Sequence, residues 1–331
     1  MRLNKLDLNL LVALDAMLTE TSITVAAQRL HMSQSAMSNA LGRLRDHFQD
    51  KLLVQVGRRM EVTPRGLILR EAVRDVLMRI DTTIAAQPEF DPAKSEREFK
   101  MLVSDYTLMT LIPRVIELAN QESETIRFRM MAQVDSPQRA LERGEADMLV
   151  FPSVYCPPEH PTEVLWQEQF VCLVWNRGRL AGKKLTLDDY LEAGHVVMQP
   201  PIGVSSFESA YLERVGIKRR IDVITHSFLS VPVLLTGTER IATVHRRLAY
   251  SVARVLPVSI LPMPMEMPVM EQSLQWHKYR TLDPGLTWLR ELIHRAVLRM
   301  DATLLPEGAT VARKIPSSAT GARYPRSPDG R

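Results

Sequence analysis

Two helical patterns separated by a short break occupy residues 22–48, with the sequence SITVAAQRLHMSQSAMSNALGRLRDHF. Ser22 and Ser33 begin the two patterns, and a serine hydroxyl at a helix N-cap accepts a backbone N–H of the first turn. The second pattern carries an apolar stripe at helical spacing: Met37, Leu41, Leu44 and Phe48. A short helix, a break and a longer helix predict a helix-turn-helix, whose second helix enters the major groove of DNA.

A polar face lies opposite this apolar stripe. Gln and Asn side chains on such a face bind adenine through two hydrogen bonds, whereas Ser, Arg and helix N-termini suit phosphates. The candidate DNA-binding residues of the two helices are Ser22, Ser33, Gln34, Ser35, Ser38, Asn39, Arg43 and Arg45. The alternative is a helical hairpin with a solvated polar face, and periodicity alone does not separate the two.

The residues after the second helix predict a β-hairpin. Leu52–Val56 and Met60–Val62 have the pattern of short strands on either side of a turn that contains Arg58 and Arg59. Two arginines at a hairpin tip suit phosphates or the minor groove, so both are candidate DNA-binding residues. The hairpin favours a winged helix-turn-helix domain, which we place at residues 1–64.

A further helix is predicted over residues 65–88, after the pair Thr63-Pro64, which has the order of an N-cap and a first helical residue. Its apolar residues alternate at four- and three-residue spacing, which is typical of a coiled-coil seam: Leu69, Val73, Val76, Ile80 and Ile84. We expect this seam to form a dimer. The alternative is that the helix packs on the winged domain of its own chain.

Strand and helix patterns alternate from residue 95 to residue 305, which predicts an α/β fold with a parallel sheet. The expected strands are Phe99–Ser104, Ile126–Met131, Ala146–Phe151, Phe170–Trp175, His195–Met198, Ile221–Ile224, Val231–Leu235, Ile241–Val244 and Leu274–Trp276. The expected helices are Tyr106–Asn120, Pro137–Arg143, Leu187–Ala193, Phe207–Val215 and Pro284–Met300. Proline clusters at 157–161 and 262–264 predict two crossings between two lobes. Lobe I then covers about 95–166 and 265–305, and lobe II about 167–264.

Ligands of such folds bind in a cleft beside the carboxyl ends of the parallel strands. The residues that follow the predicted strands are therefore candidates for effector binding: Ser104, Asp105, Tyr106, Thr107, Phe151, Ser153, Ile202, Val204, Ser205, Thr225, His226 and Ser227. Helix capping or loop hydrogen bonding is the alternative for each of them, and a lone histidine such as His226 is more often a structural group. Arg114 and Arg139 are available nearby for a carboxylate ligand.

Charge separates the two ends of the chain from its middle. The 331 residues carry a net charge of +4, with nine Lys/Arg against six Asp/Glu in residues 1–65 and five against two in residues 306–331. The remaining middle is slightly acidic. The basic charge therefore lies with the predicted DNA-binding domain and with a Gly-, Pro- and Ser-rich tail, 306–331, that we expect to be disordered.

No catalytic motif or metal-ligand spacing occurs in the sequence, so we expect no enzyme activity, no cofactor and no metal. Cys156 and Cys172 are the only cysteines and form no CxxC pair, which fits two small buried hydrophobic residues in a reducing cytoplasm. Met263, Met265 and Met267 alternate in the pattern of an edge strand. No apolar run is long enough to span a membrane. The basic start and Leu-rich run of the chain imitate a signal peptide, but Asp7 and Asp15 interrupt the run, so we expect a folded amphipathic helix there.

Several stretches resemble the signature of LysR-type transcriptional regulators over about residues 3–300. They are Leu6-Asp7-Leu8-Asn9-Leu10-Leu11, Ala26-Ala27-Gln28-Arg29-Leu30, Ser33-Gln34-Ser35-Ala36-Met37-Ser38 and Thr63-Pro64-Arg65-Gly66. The chain is most similar to the branch of nodulation regulators and activators of aromatic catabolism, through Leu14-Asp15-Ala16, Ser35–Leu41 and Arg43-Leu44-Arg45. It departs from the family at Ser35, where proline is common, and at Leu53-Val54-Gln55, where Phe-x-Arg is usual.

This resemblance implies a winged helix-turn-helix, a linker helix and a two-lobed, periplasmic-binding-protein-like effector domain. It implies a DNA-binding regulator, an activator of a catabolic promoter that responds to a small aromatic inducer in the cleft. The implied partners are an interrupted palindrome in double-stranded DNA, RNA polymerase, and further copies of the chain in a homodimer or homotetramer. The alternative is a small-molecule (solute) binding protein without a DNA-binding role, which the two-lobed middle alone would support.

Overall fold

The structure is a computed structural model that describes residues 7–57, 59–83, 89–132, 137–200 and 205–304. Its head consists of α1 (Leu8–Glu20), α2 (Ile23–Arg29), α3 (Gln34–Phe48), β1 (Leu53–Val56) and β2 (Arg59–Val62). The two strands pair antiparallel. The predicted helix-turn-helix and hairpin are therefore confirmed.

Serine caps set the boundaries of the two helices of the helix-turn-helix. Ser22 Oγ accepts the N–H of Val25 at 3.3 Å, and Ser33 Oγ accepts the N–H of Ala36 at 3.1 Å. The chain turns between them at His31, whose φ of 52° lies in the left-handed region. The head core is a buried cluster that includes Leu14, Met17, Leu18, Ala26, Met37 and Leu44.

The long helix α4 (Pro64–Thr83) begins at a side-chain cap that ties it to the hairpin. Thr63 Oγ1 accepts the N–H of Gly66 at 3.0 Å and donates its own hydrogen to Asp50 Oδ1 at 2.6 Å. The bond from Thr63 lowers the pKa of Asp50. A Cβ atom at Gly66 would lie 2.8 Å from the carbonyl oxygen of Leu52, so this helix start fits against the hairpin only without a side chain.

Two residues of the predicted dimer seam on α4 face their own head domain. Val73 is buried in the head core, and Leu69 packs against the same core. These two residues therefore pack on the winged domain of their own chain, as the alternative to a dimer seam predicted. Ile68 and Val76 of the same helix are 63% and 44% exposed. Ile84, the last residue of the predicted seam, lies outside the described residues.

Two five-stranded sheets follow α4. The first contains β3 (Glu98–Leu102), β4 (Arg127–Met131), β5 (Met148–Pro152), β6 (Thr162–Glu168) and β12 (Met270–Trp276), in the order β4-β3-β5-β12-β6. The second contains β7 (Phe170–Trp175), β8 (Gly194–Met198), β9 (Arg220–Thr225), β10 (Ile241–His245) and β11 (Val258–Leu261), in the order β11-β7-β10-β8-β9. We call the first sheet with its helices lobe I and the second lobe II.

Each sheet is parallel on one side and antiparallel on the other. β3 pairs parallel with β4 and β5, and β8 pairs parallel with β9 and β10, as the alternating pattern predicts. β12 runs antiparallel between β5 and β6, and β7 runs antiparallel between β10 and β11. The expectation of a parallel sheet is therefore correct for only part of each lobe.

The helices of the lobes are α5 (Asp105–Thr110), α6 (Ile112–Asn120), α7 (Pro137–Glu142), α8 (Leu187–Glu192), α9 (Phe207–Arg214), α10 (Ser230–Leu235), α11 (Arg246–Val252) and α12 (Pro284–Leu304). The single helix predicted over Tyr106–Asn120 is divided into α5 and α6, because Pro113 lies in the first turn of α6 and has no N–H to continue a helix. None of the described helices is long and apolar enough to cross a membrane.

Several predictions of local structure in the lobes were wrong. Val231–Leu235 is part of helix α10 rather than a strand, and Met263–Met267 form no strand. β6 and β11 lie where no strand was predicted. The chain passes from lobe I to lobe II at Gln169, between β6 and β7, and the prolines at 157–161 lie within lobe I.

The helix α4 also contacts lobe I. The hydroxyl of Tyr279 donates to Asp75 Oδ2 at 3.2 Å, and the Arg79 guanidinium lies 4.2 Å from the centroid of the Tyr279 ring. Tyr279 belongs to the short 3-10 turn Lys278–Arg280 that follows β12. One aromatic side chain therefore joins the head helix to the sheet of lobe I.

Candidate nucleic-acid interface and ligand cavity

The polar face predicted for the second helix of the helix-turn-helix is present on α3. Its buried residues are Met37, Ala40, Leu41 and Leu44. The exposed residues include five that were singled out from the sequence, Gln34, Ser35, Ser38, Asn39 and Arg43, together with Gly42 and Asp46. The structure thus brings five candidate DNA-binding side chains together on one solvent-facing helix.

Three other candidates have structural partners within the head. Ser22 and Ser33 are the N-caps of α2 and α3, and Ser33 Oγ also lies 3.0 Å from Ser35 Oγ. Arg45 donates from Nε to the carbonyl oxygen of Lys51 and from Nη2 to that of Leu53, both at 2.8 Å. Arg45 therefore holds the first strand of the hairpin against α3.

The hairpin presents one described arginine at its tip. Arg59 is exposed at the start of β2, opposite Val56 in the antiparallel pair. Arg58, the other predicted residue of the tip, lies outside the described residues. The departure from the family pattern at Gln55 places an exposed amide in β1, and its Nε2 donates to the carbonyl oxygen of Gly57 at 3.2 Å.

A cavity of about 200 Å³ lies between the two lobes, and we call it the inner cavity. Four of the predicted effector residues line it: Ser104, Tyr106, Phe151 and Ser205. Sequence reasoning missed most of the other lining residues, which include Gln138, Tyr155, Met198, Phe207, Glu208, Phe228, His245 and Gln272. They come from both lobes and from several elements, so no local pattern in the sequence joins them.

A second space of about 480 Å³ adjoins the inner cavity, and we call it the outer cavity. Ser104, Met198 and Phe228 line both spaces. The predicted residues Asp105, His226 and Ser227 line the outer cavity alone, together with apolar residues of lobe I that include Leu108, Met130 and Met131. His226 is exposed there.

Three predicted effector residues line neither space in the described part of the chain. Thr107 is buried with its Oγ1 3.1 Å from Ser104 Oγ. Ser153 Oγ lies 2.5 Å from Ser273 Oγ, and Thr225 Oγ1 lies 2.6 Å from Ser230 Oγ. The alternative of local capping and loop hydrogen bonds therefore describes Thr107 and Thr225, whereas Ser153 is bonded to a residue of β12 that lies 120 positions away in the sequence. Ile202 and Val204 lie outside the described residues.

Asp105 joins the two lobes. Its Oδ2 accepts the hydroxyl hydrogen of Ser227 at 2.6 Å and the N–H of Leu229 at 3.2 Å, both in lobe II. Its Oδ1 accepts the N–H of Tyr106 at 2.9 Å. The predicted pair Asp105 and Ser227 thus form a contact across the cleft.

Two sequence profiles of known families match the chain. One is "Bacterial regulatory helix-turn-helix protein, lysR family", over residues 8–67, and the other is "LysR substrate binding domain", over residues 93–298. The chain belongs to the LysR family of bacterial transcriptional regulators. The match over the head favours a DNA-binding regulator over a solute-binding protein without a DNA-binding role.

Relatives agree with this family, and solved structures have a similar fold. The regulator is 37% identical to "Nodulation protein D 1" of Rhizobium leguminosarum bv. phaseoli, over 95% of this chain and 99% of that protein. It is 37% identical to "Nodulation protein D 2" of Bradyrhizobium elkanii, over 92% of each chain. The fold is similar to that of a full-length OxyR cysteine variant from Pseudomonas aeruginosa, with a TM-score of 0.67, 16% identity and coverage of 88% and 94% of the two chains. It is also similar to full-length CbnR complexed with its target DNA, with a TM-score of 0.56, 17% identity and coverage of 88% and 100%.

A buried polar network closes the inner end of the cleft in this LysR-family regulator. The Tyr106 hydroxyl donates to Glu168, and Arg247 Nη1 lies 3.1 Å from Glu168 Oε2. Arg247 also pairs with Asp301 of α12 at 2.8 Å. Burial and the Glu168 charge raise the pKa of Tyr106, so the hydroxyl remains a donor at neutral pH. The charge of Arg247 is therefore already neutralised within the protein.

Some polar groups of the inner cavity are buried, and burial shifts the pKa of His245 and of Glu208 towards the neutral form. His245 stacks on Tyr106 with ring centroids 4.1 Å apart, and burial lowers its pKa to about 3. Burial raises the pKa of Glu208, although the charge of Arg219 opposes the shift. Gln272 lies on β12 with its side chain buried. Within the described residues, no group of three or more His, Cys, Asp or Glu could hold a metal ion.

Proposed function

We propose that this regulator activates transcription when a small aromatic molecule binds in the inner cavity. The observation that carries the proposal is the aromatic character of the lining: Tyr106, Phe151, Tyr155, Phe207 and Phe228. Aromatic rings favour stacked and edge-to-face contacts with other rings, so such a lining selects flat, unsaturated ligands.

On DNA, we propose that α3 enters the major groove, with Gln34, Ser38 and Asn39 at the base edges. Arg43 and the hairpin arginines then meet phosphates. Two copies joined along α4 present two such helices, so the operator is an interrupted palindrome in double-stranded DNA. Two dimers assemble into a tetramer, and RNA polymerase is the partner through which the bound protein activates.

Coupling between ligand and promoter requires two arrangements of the lobes. Asp105 of lobe I is bonded to Ser227 and Leu229 of lobe II, so a change in the arrangement of the lobes changes these contacts. A ligand that binds one arrangement of the lobes more tightly shifts the population towards it. We propose that this shift reaches α4 through Tyr279, which contacts Asp75 and Arg79.

The proposed target is a promoter for catabolism of the aromatic ligand. The relatives carry names of nodulation proteins, so they support the regulator but not this promoter. The aromatic lining of the cavity is the observation that supports a promoter for aromatic catabolism. A promoter of this kind would make the inducer a substrate of the enzymes whose genes it controls.

The test combines ligand binding and DNA binding on the full chain. We expect a panel of aromatic compounds to contain at least one that raises the melting temperature and changes the footprint on an operator selected from genomic DNA. Phe228→Ala should remove the ligand response, whereas Leu282→Ala, at a residue 91% exposed, should leave it intact. A panel without any stabilising aromatic compound, or equal responses from the two variants, would contradict the proposal.

A further inference from the structure

The chain crosses from lobe I to lobe II at a point where buried charges meet. Glu168 is the last residue of β6 and is 0% exposed, and Arg247 lies in the first turn of α11 and is 4% exposed. Arg247 Nη1 donates to Glu168 Oε2 at 3.1 Å and to the carbonyl oxygen of Gln167 at 2.8 Å. Since α11 follows β10 of lobe II, this arginine reaches out of its own lobe to the last strand residues of lobe I before the crossing.

The same guanidinium also binds the last helix of lobe I. Its Nε donates to Asp301 Oδ1 at 2.9 Å, and its Nη2 lies 2.8 Å from the same oxygen. The preceding residue, Arg246, donates from its N–H to the carbonyl oxygen of Gln169 at 2.8 Å and from Nη1 to Gln169 Oε1 at 2.7 Å. The start of α11 is therefore bonded to the crossing itself and to α12.

The charges of this network depend on one another. Burial alone would lower the pKa of Arg247, but the attraction of Glu168 and Asp301 outweighs it, so the pKa is raised and the guanidinium remains charged. A movement that separated Arg247 from its carboxylates would leave buried charges without partners, which is strongly unfavourable. The network therefore opposes a change of angle between the lobes at this point.

The return crossing, residues 262–269, is anchored to lobe II. Met263 and Met265 pack against an apolar cluster of that lobe, and the carbonyl oxygen of Glu266 accepts the hydroxyl hydrogen of Tyr211 of α9 at 3.4 Å. These contacts hold the segment to lobe II, so they do not determine how lobe II is oriented relative to lobe I.

We infer that Arg247 is a positioning residue that fixes the angle between the lobes around the inner cavity, and that the Tyr106 hydroxyl connects the cavity to it. The ring of Tyr106 lines the inner cavity, and its hydroxyl donates to Glu168. A ligand that displaces this ring therefore acts on the carboxylate that holds Arg247. This second part rests on the proposed function, because it requires a ligand in the inner cavity.

The two interlobe contacts of α5 differ in burial. Asp105 and Ser227 line the outer cavity and their bond is only partly buried, so water can replace it when the lobes move. Tyr106 and Glu168 are 1% and 0% exposed, so both groups would lose their partner without gaining water. The inner network, rather than the outer contact, therefore sets the angle.

The experiment measures the distance between the lobes in the full chain by double electron–electron resonance. Spin labels are attached at Glu124→Cys, in the exposed turn before β4 of lobe I, and at Lys184→Cys, in the exposed loop after β7 of lobe II. The labelled chain is diluted with an excess of unlabelled chain, so that pairs of labels within one chain dominate. The chain without introduced cysteines reports any labelling of Cys156 or Cys172. No ligand is added, so the outcome does not depend on the proposed function.

Two variants disconnect the network to different degrees. The double change Glu168→Gln and Arg247→Met removes both buried charges together, and the side chain of Asp301 is 22% exposed and can be hydrated. We expect the width of the distance distribution at least to double. Tyr106→Phe keeps the ring and removes only the hydroxyl, so it should broaden the distribution less than the double change.

Arg280→Met is the matched control. Arg280 is also a largely buried arginine that pairs with two carboxylates, but its partners Asp147 and Asp283 belong to the same lobe I. Its loss should lower stability in urea denaturation and leave the interlobe distances unchanged. Equal broadening in Arg280→Met and in the double variant would mean that lost stability, rather than the network, loosens the lobes.

Two results would overturn the inference. A folded double variant that keeps the distance distribution of the parent would exclude the role of Arg247. An unchanged distribution in Tyr106→Phe would exclude the connection between the cavity and the network. If the double variant does not fold, Tyr106→Phe decides alone, because it changes no charge and removes one bond of the network.

Discussion

Arg45 has a different role from the one its position on α3 suggests. Its guanidinium spans the gap between α3 and the hairpin and donates to the carbonyl oxygens of Lys51 and Leu53. Arg43, one half-turn away, is exposed and has no such bonds among the described contacts. Two arginines of one helix are thus separated into a positioning residue and a candidate phosphate contact.

These roles predict different phenotypes for matched substitutions. Arg45→Gln should lower the free energy of unfolding by about 1.5–3 kcal/mol, since it removes charge-assisted hydrogen bonds, and should weaken binding to every DNA sequence. Arg43→Gln should leave stability unchanged and reduce the salt dependence of DNA binding by about one unit. Urea denaturation and titrations at several salt concentrations measure both. Equal stability of the two variants would show that Arg45 does not hold the hairpin.

Some residue roles are local enough to be predicted from the sequence. Ser22 and Ser33 cap helices that begin one residue later, so their partners lie within three residues. Gln272 is different, because it faces a cavity whose other walls belong to segments far away in sequence. Only the register of β12 between β5 and β6 puts its side chain there.

At the scale of the element, α4 carries apolar residues that the head core covers and apolar residues that are exposed. Val73 belongs to the head core, whereas Ile68 and Val76 are exposed. The sequence predicted a single seam, because a repeat of four- and three-residue spacings does not show which of its apolar residues are covered within the chain. Leu69 and Val73 are covered because α4 packs against α1 in the head.

Substitutions of the exposed and of the buried apolar residues of α4 should have opposite effects on dimer assembly and on stability. The double change Ile68→Glu and Val76→Glu should raise the dimer dissociation constant at least tenfold, because it places charges in an apolar contact. The melting temperature of the isolated chain should change little. Val73→Ala should instead lower the free energy of unfolding by about 0.5–3 kcal/mol and leave dimerisation intact. Sedimentation velocity and thermal denaturation distinguish them, and a dimer that survives the double change would place the contact elsewhere.

The elements that sequence analysis missed have identifiable physical causes. Thr162–Glu168 forms β6 although both of its ends are polar or charged, because it pairs with β12 from far along the chain. Val231–Leu235 is apolar throughout, and such short runs do not separate helix from strand. Pro232 lies in the first turn of α10, where its missing N–H costs nothing. The methionine run forms no strand because prolines at 262, 264 and 268 remove three possible donors.

Across the whole molecule, buried histidines make stability depend on pH. Burial lowers the pKa of His195 to about 4 and that of His245 to about 3. Both are therefore neutral in the folded chain at pH values where the unfolded chain is protonated. The unfolded state binds more protons below about pH 6.5, so acidification destabilises the fold. The raised pKa of Glu208 acts in the opposite direction, because its folded form retains a proton.

We expect the free energy of unfolding to fall by about 2 kcal/mol per buried histidine between about pH 7 and about pH 5. Urea denaturation at the two pH values measures the difference. His195→Asn and His245→Asn should each reduce this difference in the free energy of unfolding between the two pH values. The control is His31→Asn, which should leave the difference unchanged, because His31 is exposed and lies in a left-handed turn that Asn tolerates. A pH dependence that is the same in all three variants would show that these histidines are not its source.

The order of head, linker helix and two lobes was predictable because each part has its own periodicity and composition. The contacts that hold the lobes together were not. Asp105 meets Ser227 from 122 positions away, and Tyr106 meets Glu168 from 62. Hydrophobic periodicity in one sequence carries no information on pairs of residues that are distant in the sequence. The ends of the predicted strands were therefore enough to locate the cleft, but the residues that line it could be identified only from the structure.

The contact between Tyr279 and α4 has a consequence for building chimeric biosensors. The predicted end of the linker helix near residue 88 invites fusion of this head and helix to the sensing domain of another regulator. Such a fusion would keep Asp75 and Arg79 but lose the ring that lies between them and lobe I. Transplanting the segment Lys278–Arg280 together with the head would retain the contact of Tyr279 with α4. Signal transfer in the chimera should depend on this contact more than on the length of the linker at the fusion point.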